Sequence, residues 1–164
     1  MALRPEKALL SEAVQALAGV RALELVQRIV RRCARSLTGS HGATLVLREG
    51  DQCFYADEDA ISPLWKGQRF PIAECISGWA MLNCSAAVVP DVRIDDRIPQ
   101  QAYRPRFVRS MAMVPIRESA PIGAIGVYWA VRQRATNEQM QSLHSLAEAA
   151  GTALERLLVA PLPW

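Results

Sequence analysis

Two cysteines bracket a short helical stretch. Ile76 to Asn83 carries Ile76, Trp79, Ala80 and Leu82 or Asn83 at helical steps, with Cys75 at its entry and Cys84 at its exit. A thiol at a helix N-terminus is more acidic and more reactive than a free one. Cys75 and Cys84 are therefore candidate partners in a redox switch. Against that, a free cysteine also packs as a small hydrophobe. Nine residues of mostly helical chain would hold the two roughly 13 Å apart, beyond the disulfide limit of about 7 Å. No bridge between them is expected.

A second group is Tyr103-Arg104-Pro105-Arg106-Phe107, two guanidinium groups between two aromatic rings. Arginine forks onto a carboxylate or phosphate, and tyrosine closes over a ring. The plainer reading is a surface loop held by Phe107. Asp91, Asp95 and Asp96 offer oxygens to a hard cation. They lack the glycine and closing glutamate of a calcium loop, and read as caps and turns. His41 and His144 are the only histidines and stand far apart, so no zinc pair is present. Neither a G-x-S-x-G elbow nor a glycine-rich phosphate loop occurs.

The elements that must position these residues centre on residues 110–130. The apolar runs Met111 to Ile116 and Ile122 to Ala130 flank the polar insert 117–121, the pattern of a β-hairpin. Both runs are almost wholly apolar, as in a strand pair covered on both faces. Gly123 and Gly126 are read as the place where a helix lies on the sheet. Further strands are expected at Ala43–Leu47, Gln52–Ala56, Arg69–Ile72 and Ala86–Val89, with 57–67 irregular and 91–109 polar and broken.

Helices are expected over Glu6–Ala18, Arg21–Leu37 and from the capping box Thr136-Asn137-Glu138-Gln139 to about Leu158. Gly39 is the C-cap of the second. Its arginines 28, 31, 32 and 35 read as a solvated face. In the last helix Met140, Leu143, Ala147, Ala150, Leu154 and Leu157 form a coiled-coil-like seam. Leu146, Ala153 and Leu158 form a second stripe, so the seam is expected to pack against a second copy in a homodimer. Pro161 and Pro163 end the helix.

The chain has 164 residues, 51% of them hydrophobic, and a net charge of +3, which suits one globular domain without a concentrated basic footprint for nucleic acid. No run reaches the ~18 apolar residues of a membrane span, and no signal peptide is evident. The four cysteines lack C-x-x-C spacing and read as reduced thiols of a cytoplasmic chain.

The order of several motifs resembles the GAF family of sensor domains. They are Leu37-Thr38-Gly39-Ser40-His41-Gly42 running into Ala43–Leu47, Ile76-Ser77-Gly78-Trp79-Ala80, and Val89-Pro90-Asp91-Val92 followed by Asp95-Asp96-Arg97. Closest is Ser110-Met111-Ala112-Met113-Val114-Pro115-Ile116 followed by Pro121-Ile122-Gly123-Ala124-Ile125-Gly126. The resemblance implies an α+β fold. A central antiparallel sheet of five or six strands carries the N- and C-terminal helices on one face and a ligand cavity on the other, walled by 74–110. It divides the chain into a helical extension (1–19), the sensor domain (20–158) and a tail (159–164).

The ligand-binding residues implied are Cys75, Trp79, Asp91, Tyr103, Arg104, Phe107, Ser110, Met111 and Met113. The middle section is similar to GAF domains placed ahead of bacterial sensor histidine kinases in two-component signal transduction. His144 lies outside any phospho-acceptor box, so the expectation is a small-molecule sensor that is not itself an enzyme. Bilin-binding relatives attach their pigment through a later cysteine, and 85–164 contains none. That argues against bilin, and the histidines argue against haem; no cofactor is expected beyond an unknown ligand. Relatives that reduce free methionine sulfoxide use a cysteine near the position that here reads Arg109-Ser110-Met111, another departure. The alternatives are a thiol redox enzyme or switch of that type and a ligand-free dimerisation module.

Overall fold

The computed structural model describes residues 5–158; the tail at 159–164, with its two prolines, and the first four residues lie outside them. Two helices open the chain, α1 (Pro5–Gly19) and α2 (Leu23–Thr38). Strands β1 (Gly42–Glu49), β2 (Gln52–Ala60) and β3 (Arg69–Pro71) follow. After a 3₁₀ turn come α3 (Ile76–Asn83), β4 (Ala87–Val89) and the short α4 (Gln100–Tyr103). Strands β5 (Ser110–Ile116) and β6 (Gly123–Trp129) and the long α5 (Asn137–Leu158) complete it. The six strands form one antiparallel sheet in the order β3-β2-β1-β6-β5-β4.

Side chains on a strand alternate between faces, and here both faces are covered. Leu45, Leu47, Val114, Ile116, Ile125 and Val127 join α1, α2 and α5 in one core. Their neighbours Val46, Met111, Met113, Ala124 and Tyr128 join a second core with α3 and the segment 90–109. Every residue of β5 and β6 is buried.

Local chemistry sets the helix ends. The Gln139 N–H donates to Thr136 Oγ1 at 3.1 Å and the Thr136 N–H donates to Gln139 Oε1 at 2.9 Å, a reciprocal capping box. Gly39 closes α2 in the left-handed region, φ +58°, where a side chain would be strained.

Three expectations are corrected. The space at Gly126 is taken by side chains: a Cβ there would collide with Tyr128 Oη and stand 2.8 Å from Thr44 Oγ1, on the face that α3 covers. At Gly123 the obstacle would be the Val46 carbonyl oxygen of β1, at 2.4 Å. Helices make their close approaches through their own glycines, Gly151 of α5 beside Ile116 and Arg117 and Gly78 of α3 against the Ile72 backbone.

Second, arginines on α2 are not merely solvated. Arg31 pairs with Asp57, and Arg35 Nη1 donates to Asp59 Oδ1 at 2.7 Å. β2 runs four residues further than expected, with a bulge where Leu45 faces Asp57 but Val46 faces Tyr55. The extra residue, Ala56, resets the alternation. Cys53 and Tyr55 then face the second core while Asp57 meets α2.

Third, the α5 seam is spent within the chain. Leu143, Ala147, Ala150 and Leu154 are at most 2% exposed, packed with α1, α2 and the sheet, and Met140 and Leu157 are partly buried in the same core. The helix ahead of α2 takes the stripe that the sequence left for a second copy. Arg156 Nη2 fastens it, donating to the Leu17 and Val20 carbonyls at 3.0 and 2.6 Å.

Truncating a buried leucine removes packing and leaves a cavity, so Leu154→Ala is expected to cost about 2–5 kcal/mol. Leu157→Ala, at a half-buried site, should cost clearly less. Urea denaturation of the two variants checks this; equal losses would contradict the internal use of the seam.

Candidate functional site

The face of the sheet away from the terminal helices carries an aromatic box. Its centre is Trp65, from the loop after β2. The Trp65 ring lies 4.6 Å from Tyr103, 5.5 Å from Tyr128 and 5.6 Å from Tyr55, and Tyr55 lies 5.5 Å from Phe70. Glu58 builds this loop: its carboxylate accepts the N–H groups of Leu64, Trp65 and Lys66 at 2.8–2.9 Å. The Trp65 indole donates to the Ala102 carbonyl at 3.1 Å, tying the box to α4. Between Tyr55, Trp65, Phe70, Cys75 and Tyr103 remains a cavity of about 10 Å³, the room of one water.

Polar groups in the box are mostly satisfied. Tyr128 and Thr44 share a hydrogen bond of 2.9 Å, and Tyr55 and Ser77 one of 3.1 Å. The Tyr103 hydroxyl is buried beside the Tyr128 hydroxyl without a well-formed hydrogen bond to it. Ser77 also meets the Cys75 sulfur, at 3.3 Å. The thiol facing Cys75 is Cys53 of β2, not Cys84. A hydrogen bond from Cys53, then those from Ser77 and the Gly78 N–H, hold the Cys75 thiol below the usual thiol range against its burial. The same bond, followed by burial, pushes Cys53 up. Cys84 is exposed at the far end of α3.

Of the residues expected to bind ligand, Cys75, Tyr103, Met111 and Met113 come together in this core, all under 6% exposed. Trp79 and Phe107 sit partly buried at its edge, Trp79 beneath the Arg97 guanidinium at 4.6 Å and Phe107 edge-on to His41. Two others are engaged elsewhere. Asp91 accepts the Arg93 N–H at 3.0 Å and lies 3.8 Å from both Arg109 and Arg132. Ser110 donates to the Val131 carbonyl at 2.6 Å. Arg104 is exposed, on the rim of a depression beside Tyr103. His41 accepts the Ala130 N–H at 2.8 Å, a structural bond. No cluster of His, Cys, Asp and Glu among the described residues could hold a metal.

Sequence reasoning missed Cys53, Tyr55, Trp65 and Phe70. The available signal was a lone tryptophan between Pro63 and Gly67, a costly residue to spend on a polar loop.

A family profile described as GAF domain matches residues 22–155. The chain belongs to the GAF domain family. The GAF domain of Acinetobacter phosphoenolpyruvate-protein phosphotransferase superposes with TM-score 0.85 at 12% identity, covering 98% of this chain and 99% of the other. A free methionine-R-sulfoxide reductase from Neisseria meningitidis superposes with TM-score 0.81 at 17% identity, covering 98% and 96%. The chromophore-binding domain of a bacteriophytochrome from R. palustris gives 0.77 at 14% identity, covering 94% of this chain and 62% of the other. These likenesses establish the fold. No curated protein matches the sequence. The expectation that this GAF domain is not an enzyme does not stand, because the reductase is an enzyme on the same fold. No helix among the described residues is long and apolar enough to cross a membrane.

Burial raises the phenols of Tyr55, Tyr103 and Tyr128 above their ordinary value of 10.0. The unfolded chain therefore loses these protons first. Their contribution to stability is complete below pH 10 and falls as pH rises beyond it. Alkaline titration should show phenolate absorbance of this group rising together with loss of near-ultraviolet dichroism. Full ionisation near pH 10 with the dichroism intact would contradict the box.

Proposed function

We propose that this GAF domain is a small-molecule sensor of a bacterial signalling protein, placed ahead of an output module such as a histidine kinase. The observation that carries this reading is the Tyr103 hydroxyl, buried in the aromatic box beside Tyr128 without a well-formed hydrogen bond. A hydroxyl kept from water unpaired costs about 1–3 kcal/mol. A ligand with a polar group would recover that cost while its body stacks in the box.

The cavity of about 10 Å³ holds no such ligand while closed. Entry requires the cover at 90–109 to move. That segment hangs on a few apolar anchors, Val92, Ile98, Tyr103 and Val108, and on the Gln100 side chain, which donates to the Val92 carbonyl at 2.8 Å. A ligand that binds only the open arrangement shifts the population toward it. β5 and β6 share side chains with both cores, so a shift on one face reaches α2 and α5 on the other. A thermal-shift panel of metabolites tests the reading. At least one compound should raise the melting temperature saturably, and Tyr103→Ala should lose that response. A panel without a single saturable shift would count against it.

One observation favours a second reading: Cys75 lines the cavity and the Cys53 thiol lies beside it in the same core. In a thiol reductase of the methionine sulfoxide type, the Cys75 thiolate would take the sulfoxide oxygen, leaving the thioether and a sulfenic acid. Cys53 would condense with it, releasing water and forming a disulfide, which an external dithiol would reduce. With free methionine sulfoxide and dithiothreitol, wild type should turn over and Cys75→Ser should not. A wild-type rate no faster than dithiothreitol alone removes this reading.

A further inference from the structure

Three buried side-chain polar atoms among the described residues lack a well-formed hydrogen bond: Tyr103 Oη, which lies beside Tyr128, Arg106 Nε and Arg109 Nε. All three residues line one depression of about 350 Å³ beside the aromatic box. That size is at the lower end for small-molecule sites. An N–H offers only a donor and a tyrosine O–H offers one, so the shared missing partner is an acceptor.

Charge points the same way. Arg93 and Arg104 stand on the rim of the depression, making four guanidinium groups around it. No carboxylate pairs with Arg93, Arg104 or Arg106 among the described residues, and Arg109 reaches only Asp91, at 3.8 Å. Phe107, Val92 and Val108 give the depression apolar walls, which strengthen an ion pair inside it. Tyr103 belongs to both spaces, lining the depression on one side and the aromatic cavity on the other.

We propose that this depression is an oxyanion subsite, in which Arg106 and Arg109 fork onto the carboxylate or phosphate of a small ligand. It rests on the sensor reading and adds the ligand's class: an acidic head in the arginine depression, with the body turned past Tyr103 toward the box. The Nε edges are closed to water in the resting arrangement. A rotation of these flexible side chains presents Nε–H and a terminal N–H together, the geometry that matches an oxyanion.

The test titrates the full chain with inorganic phosphate and, separately, with succinate. Ionic strength is matched with chloride, and the melting temperature is followed. A saturable rise with either anion is expected, and the one that binds more tightly tells phosphate from carboxylate. The double variant Arg106→Gln/Arg109→Gln should weaken it by about tenfold or more. Should that variant not fold, Arg106→Lys and Arg109→Lys keep the charge but lose the fork, and should each weaken binding several-fold. Wild type responding to neither anion beyond chloride would overturn the subsite, as would folded variants that bind as tightly as wild type. A neutral compound from the metabolite panel that binds wild type and the double variant equally would remove the subsite while leaving the sensor reading intact.

Discussion

A sheet buried on both faces governs this molecule. Neither β5 nor β6 has an exposed residue, and β1 is buried from Gly42 through Leu47. An antiparallel sheet with one wet face would show polar side chains at every second position. Here both sets are apolar, so each face needs its own cover. Three helices cover one; α3 and a largely irregular segment cover the other. Helices pack by extended stripes and hold firmly. The irregular cover holds through isolated anchors. The face with the less regular cover is therefore where opening costs least.

The bulge at Ala56 makes these two environments compatible on one strand. Without it, the aspartates of β2 and its inward residues would keep a single alternation. With it, Asp57 and Asp59 reach the arginines of α2 while Cys53 and Tyr55 remain under the cover. Glu58, between the two aspartates, points the other way and caps the loop that delivers Trp65. Three successive acidic residues thus perform two tasks: fastening a helix on one face and shaping a loop on the other.

The second core is packed with unusually polar aromatics. Tyrosines contribute apolar area, but each hydroxyl must be satisfied. Tyr55 and Tyr128 meet Ser77 and Thr44, both buried for that purpose. Gly126 leaves the space that the Tyr128–Thr44 pair fills. Tyr103, carried by the cover rather than by the sheet, is the one without a well-formed bond, lying beside the Tyr128 hydroxyl that Thr44 already engages. A core built only for stability would place phenylalanine there.

Features set by neighbouring residues could be read from the sequence. The α5 capping box, the Gly39 C-cap, the β5–β6 hairpin and the two-faced burial of its strands depend on residues a few positions apart. Their order was enough for the family and the α+β architecture. The cover's Tyr103 and the inward Met111 and Met113 followed from that order. Tertiary structure alone decided the rest. Cys53 meets Cys75 because β2 and the start of α3 converge, a long-range juxtaposition that spacing within α3 could not reveal. Trp65 enters the core because Glu58 turns its loop. The α5 seam closes on α1 rather than remaining a free stripe. A one-residue bulge selects the face that each residue of β2 serves, and helical periodicity marks a stripe as apolar without naming its partner. Pairing across the chain settles both, because it is fixed by burial summed over whole elements.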